Sequence, residues 1–135
     1  MDGTLANFYG YPEWLSCLQN EDTLPYEIAE PLFNFSVLAR VLNRLHKEGW
    51  KINIISWTSK TGAEDFNDEI AGVKLDWLAE HLPSVKFDNI SIIPYGTPKS
   101  LYGNGILFDD EDRNRSEWNG TAYDVNNILE ILKNL

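Results

Sequence analysis

Apolar residues in this chain fall into two alternating kinds of run, one spaced for helices and one too short for them. Val37, Val41 and Leu45 recur every fourth position, with Leu38 and Leu42 beside them. That stripe predicts a helix begun near Ser36 and stopped at Gly49. Ile52-Asn53-Ile54-Ile55 follows within a few residues and is rich in β-branched side chains, so it predicts a buried strand. A second helix is predicted over 64–82, where Ile70, Val73, Trp77 and Leu78 share a face and Pro83 ends it. Ile90-Ser91-Ile92-Ile93 and Gly105-Ile106-Leu107-Phe108 predict two more strands. Asp124 is placed to cap a last helix carrying Val125, Ile128, Leu129 and Leu132 on one side. Residues 6–35 differ: Tyr9, Tyr11, Trp14, Tyr26, Phe33 and Phe35 follow no period, which predicts a small, partly helical insertion.

Alternation of helix with short, wholly apolar strand is the pattern of a parallel sheet covered on both faces. The predicted class is therefore α/β, a doubly wound, Rossmann-like domain. Ligands in such sheets sit outside the carboxyl ends of the strands. Length limits the chain to one domain: 135 residues, 43% of them hydrophobic, close a single core. No internal repeat or linker interrupts it.

A formal charge of -10, with no Lys/Arg run, argues against a nucleic-acid polymer as partner. A single cysteine, Cys17, excludes an intramolecular disulfide and gives no support for a Cys-based metal site. The apolar runs are too short for a membrane span or a secretory leader, so a soluble, cytoplasmic protein is expected. His46 and His81 stand 35 residues apart within helical patterns and read as structural.

Polar residues with chemical potential follow the predicted strands. Ser56-Trp57-Thr58-Ser59-Lys60 leaves the first one; hydroxyls there can donate to a phosphate oxygen, although a plain polar loop has the same composition. Trp57 is the one tryptophan placed to touch a substrate. Lys99 lies in a loop shaped by Pro94, Gly96 and Pro98, where a solvated lysine is the ordinary reading. Phe108 runs into Asp109-Asp110-Glu111-Asp112, four adjacent carboxylates that imply either full exposure or a bound cation. Open, oxygen-rich coordination of that kind suits Mg2+ at a phosphate site.

With Met1-Asp2-Gly3-Thr4-Leu5 at the start, these stations resemble the haloacid dehalogenase-like (HAD) phosphohydrolases. In that family the first strand ends in Asp-x-Asp-Gly-Thr-Leu, so Met1 matches the x and Asp2 the second aspartate. Ser56 matches the second motif, Lys99 the third, and the Asp109-Asp110 pair the fourth. A receiver domain combines similar residue types, but in the wrong order. Arg113, Asn114 and Trp118 after the acidic pair are similar to small nucleotidase-like members, including bacteriophage-type ones.

The resemblance implies Mg2+-dependent phosphomonoester hydrolysis through an aspartyl-phosphate. Asp2 would be the general acid and base, with its main-chain carbonyl on the metal. Ser56 and Lys99 would hold the phosphoryl group, helped by Thr58 and Trp57. Asp110 would be the metal ligand with Asp109 beside it, and Asp112 an outer partner. Residues 6–35 would be a small cap, and the substrate a small phosphorylated metabolite or nucleotide. The nucleophile would stand ahead of Met1, on a central strand that the chain as written lacks. It is therefore expected to be a truncated, inactive product with two unpaired inner sheet edges. The alternative is a non-catalytic HAD-like module that binds phosphate or a partner.

Overall fold

The computed structural model describes residues 1–135. The longest amphipathic stripe forms helix α3, Phe35–Lys47, after the short helices α1, Trp14–Gln19, and α2, Leu24–Glu27. The Asn34 side chain accepts from the Val37 N–H and satisfies one of the donors that a helix start leaves unpaired. Gly49, at φ +100°, lets the chain turn away after the helix. Leu38, Leu42 and Leu45 are buried against Ile54, Trp77, Ile128 and Leu132 in the main core. Each such side chain contributes about 1.5–3 kcal/mol on leaving water.

Strand β1, Asn53–Trp57, pairs in parallel with β2, Asn89–Ile93, from Asn53 opposite Asn89 to Trp57 opposite Ile93. The crossover between them is α4, Glu64–His81. Strand β3, Ile106–Phe108, pairs in parallel with β4, Thr121–Tyr123, across α5, Asp112–Ser116. Helix α6, Ile128–Lys133, follows a 3-10 turn capped by the Asp124 side chain on the Val125 N–H. β4 is absent from the sequence-based expectation because Thr121-Ala122-Tyr123 is only three residues long, between Gly120 and Asp124, and reads as a turn.

The fold is thus mixed α/β with parallel pairing, but the strands form two separate pairs and not one sheet. An apolar groove of about 730 Å3 lies between them, lined by Leu42, Ile54, Ile55, Leu107, Phe108 and Trp118 among others. Residues of both β1 and β3 line this groove, and the predicted continuous sheet is interrupted there.

Residues 6–35 leave and rejoin the body through one neck. Ala6 bridges Pro31, Asn7 N–H donates to the Glu30 carbonyl, and Leu32 N–H donates to that of Leu5. Phe8 stacks on Tyr26 at 4.4 Å between ring centroids, and both pack with Phe66 and Ile70 of α4. Trp77 reaches across to the Ala29 carbonyl at 2.8 Å. Both histidines have structural partners: His46 meets Asp88 at 3.4 Å, and His81 packs on the Trp77 ring at 4.3 Å. Cys17 is a buried free thiol. No helix is long and apolar enough to cross a membrane.

Candidate active site

The carboxyl ends of β1 and β3 open on a second cavity, of about 680 Å3. Asp2, Ser56, Trp57, Thr58, Lys99, Asp109 and Asp110 all line it. Residues up to 108 positions apart in sequence are brought to one place because parallel strands deliver their following loops to the same side of the molecule.

The opening loop is wound around one carbonyl: Met1 C=O accepts from the N–H groups of Thr4, Leu5 and Ala6. Gly3 has φ +74°, and the Asp110 carboxylate occupies the place where a Cβ would stand. Thr4 Oγ1 donates to Asp110 Oδ1 at 3.2 Å, which joins the opening loop to the acidic run after β3. Here glycine is required twice over, by backbone conformation and by the approach of a carboxylate.

Asp109 is enclosed and fully partnered. Lys99 Nζ lies 2.6 Å from Oδ2, Asn114 Nδ2 donates to the same oxygen at 3.2 Å, and the Glu111 N–H donates to Oδ1 at 2.9 Å. Burial alone would raise this carboxyl, but the Lys99 charge and these hydrogen bonds outweigh it and hold the group below the ordinary aspartate range. Asp110 goes the other way. Burial, then the neighbouring Asp109 charge, push its carboxyl above that range. The same acidic field, after burial, raises the Tyr9 phenol through Asp2 and Asp110.

Asp2, Asp109 and Asp110 share the cavity without gathering into a metal-binding cluster of three side chains. Each has its own partner, Lys74, Lys99 and Thr4 respectively. The four consecutive carboxylates likewise separate: Asp109 turns inward, while Asp112 is exposed and lies 3.5 Å from Arg115. For a divalent cation the fit is Asp110, a half-buried carboxylate with a raised pKa and no cationic side chain paired to it, together with the Asp2 carbonyl, which accepts no main-chain hydrogen bond. Asp109, already neutralised by Lys99, is better suited to orienting Lys99 than to binding metal directly.

Ser56 is 2% exposed, whereas Trp57 and Thr58 are half-buried. Trp57 Nε1 donates to the Thr97 carbonyl at 2.8 Å, and its ring lies 4.9 Å from that of Tyr95. Tyr9, Trp14 and Tyr26 complete an aromatic side to the cavity. Lys99 Nζ is 5.7 Å from the Trp57 ring centroid, and the Arg113 guanidinium 5.8 Å.

Two contributors escape the sequence reading as site residues. Asn114 on α5 holds Asp109; in the sequence it stands out only by its place two residues after the acidic run and by the resemblance there to small nucleotidase-like proteins. Lys74 on α4 is 1% exposed, with Nζ 3.0 Å from Asp2 Oδ2, 2.8 Å from Ser56 Oγ and 2.7 Å from the Trp57 carbonyl. Its signal is legible afterwards: it stands four residues after Ile70 and four before Leu78, a charge on the apolar face of a helix. Burial pulls its ammonium below the ordinary lysine value, Asp2 opposes that shift, and Lys99 adds to it.

No protein-family model, curated protein or solved structure matches this chain. The site is therefore described by its own geometry: two buried lysines, two loops carrying carboxylates, a hydroxyl-rich loop after β1 and an aromatic wall.

Proposed function

We propose that this cavity is the phosphate site of a Mg2+-dependent phosphomonoester hydrolase of the HAD-like kind. One observation carries the reading: Asp2, Ser56, Lys99 and the Asp109-Asp110 pair, four separate stations of the chain, meet in one cavity. Lys99 lines the cavity and provides positive charge for a phosphoryl group, while Lys74 behind it offsets Asp2. In this reading the two strand pairs are halves of one doubly wound sheet. The apolar groove separates these halves, and Met1 borders both the groove and the cavity.

The reaction divides into two displacements. An aspartate supplied at the family's nucleophile position would attack phosphorus, and Asp2 would give its proton to the departing alcohol oxygen. Asp2 then takes a proton from water as that water cleaves the aspartyl-phosphate, releasing phosphate and restoring the carboxylate. Ser56 and Lys99 hold the phosphoryl oxygens, and Asp109 with Asn114 keeps Lys99 aimed. Asp110 and the Asp2 carbonyl would hold Mg2+, which would supply further positive charge against the phosphoryl group. Trp57, Tyr95 and the aromatic residues of 6–35 suit a flat leaving group, so a nucleotide or other small phosphorylated metabolite is the proposed substrate.

A HAD-like module that binds phosphate without turnover is the second reading. It is favoured by the pairing of Asp2 with Lys74, which commits the proposed acid and base to a buried ion pair. Hydrolysis of p-nitrophenyl phosphate with Mg2+ separates the two. The 135-residue chain is expected to show none, and the same chain preceded by an apolar strand ending in Asp is expected to turn over and to stop with Asp2→Asn. If the extended chain binds inorganic phosphate but stays inactive, the module reading stands and the hydrolase reading falls.

A further inference from the structure

Lys74 spends a buried charge on three acceptors, and this arrangement has a consequence for Ser56. A carboxylate, a hydroxyl and a carbonyl within 3.0 Å of one nitrogen match the three N–H donors of an ammonium, and the Asp2 carboxylate favours that charged form, which commits all its protons. The Ser56 hydroxyl receives one of them. A hydroxyl whose oxygen already accepts from an ammonium turns its own proton elsewhere, and the Ser56 Oγ–H meets no acceptor in the protein. The cavity is the remaining direction. The second committed proton neutralises Asp2, which would otherwise repel an incoming anion, and the third fixes the Trp57 carbonyl.

The groups facing Lys74 come from every element around it: Asp2 from the opening loop, Ser56 and Trp57 from β1, and the Tyr26 ring at 5.2 Å from α2. Lys99 adds a second positive charge from the loop before β3. A lysine at a helix position that otherwise buries apolar residues is costly unless every proton is used, and here all three are.

We infer that Lys74 is a positioning residue that makes Ser56 an obligate hydrogen-bond donor to a bound anion and screens that anion from Asp2. This rests on the phosphate-site reading but adds a residue and a role outside the four sequence stations. The mechanism needs no titration of Lys74, only its hydrogen-bond pattern.

Two measurements on the full chain test it and keep its failure apart from that of the phosphate site. The lysine ammonium region of a 1H–15N correlation spectrum should show a slowly exchanging Nζ signal, assigned by its loss in Lys74→Met, that moves in Ser56→Ala. A missing or unmoved signal overturns the inference, whatever phosphate does. Titration with inorganic phosphate then gives the function. Ser56→Ala should weaken binding by about tenfold to a hundredfold, the worth of one hydrogen bond to a charged group. In a Lys74→Met background the same change should cost at most a few fold, because an unpinned hydroxyl no longer points at the anion. Equal losses from Ser56→Ala in both backgrounds would overturn the positioning role. If wild-type protein with an intact Lys74 signal binds no phosphate, the phosphate-site reading fails and takes this role with it. Lys74→Arg, which keeps the charge but not the compact three-donor geometry, should fall between wild type and Lys74→Met.

Discussion

Replacing Asp109 by Asn tests the electrostatic core of the site while barely changing its shape. In the native protein the Asp109 and Lys99 side chains are 3% and 8% exposed and 2.6 Å apart, so little solvent screens the pair. Loss of the carboxylate charge leaves the Lys99 ammonium enclosed with only a neutral carbonyl to accept from it. Breaking a buried pair in this way costs about 3–5 kcal/mol. One compensation opposes it: the Asp110 carboxyl, pushed up partly by the Asp109 charge, is relieved when that charge goes. The pair loss wins because Lys99 is more enclosed than the half-buried Asp110. With a urea dependence of about 1–3 kcal/mol per molar, the unfolding midpoint should fall by roughly 2 M. The five tryptophans provide the fluorescence signal for that measurement.

Acid supplies the check on cause. The Asp109 carboxyl is held below its ordinary value, so the stability it contributes is complete above about pH 4 and drains as pH falls through the depressed value. Wild-type and Asp109→Asn midpoints should therefore converge on acidification below that point. Adding Lys99→Met to Asp109→Asn should recover part of the loss, since no unpaired charge then stays buried. A single variant within about 0.5 kcal/mol of wild type at pH 7 would refute the reasoning, because that is the scale of an exposed pair.

Asp110→Asn should act in the opposite sense. A carboxyl raised by burial opposes folding once it ionises, so the variant should melt at a higher temperature than wild type at pH 7 without metal, and should lose the rise in Tm that MgCl2 gives wild type against NaCl of equal ionic strength. A variant that keeps the Mg2+ response would remove Asp110 from the metal site. Gly3→Ala forces a side chain to φ +74° and against the Asp110 carboxylate, so it should cost about 1–3 kcal/mol in calorimetric unfolding and weaken the Mg2+ response as well. Unchanged Tm would show that the opening loop is not held as described.

The elements that the sequence made legible are those whose evidence is local. The stripe Val37-Val41-Leu45 is observed as α3, and the short apolar runs at 52–55, 90–93 and 105–108 are observed as β1, β2 and β3 with ends shifted by one or two residues. β4 was hidden because its strand character comes from pairing Thr121-Ala122-Tyr123 with Ile106-Leu107-Phe108, a partner that no local window contains. Lys74 was hidden for a related reason. A lysine on an amphipathic helix reads as solvated until the fold shows that its position faces Asp2 and Ser56.

The sequence by itself determined the alternation of helix and strand, the absence of a basic stripe, and the residue types available at each strand end, since these follow from periodicity and composition. Only the tertiary structure decided which carboxylate pairs with which lysine, that Asp110 faces Gly3 and Thr4 while Asp109 faces Lys99, and that β1 and β3 stand apart across an apolar groove. The reason is distance along the chain. Charges and edges tens of residues apart have no local signature, and their energies depend on burial and separations that exist only once the strands have brought them together.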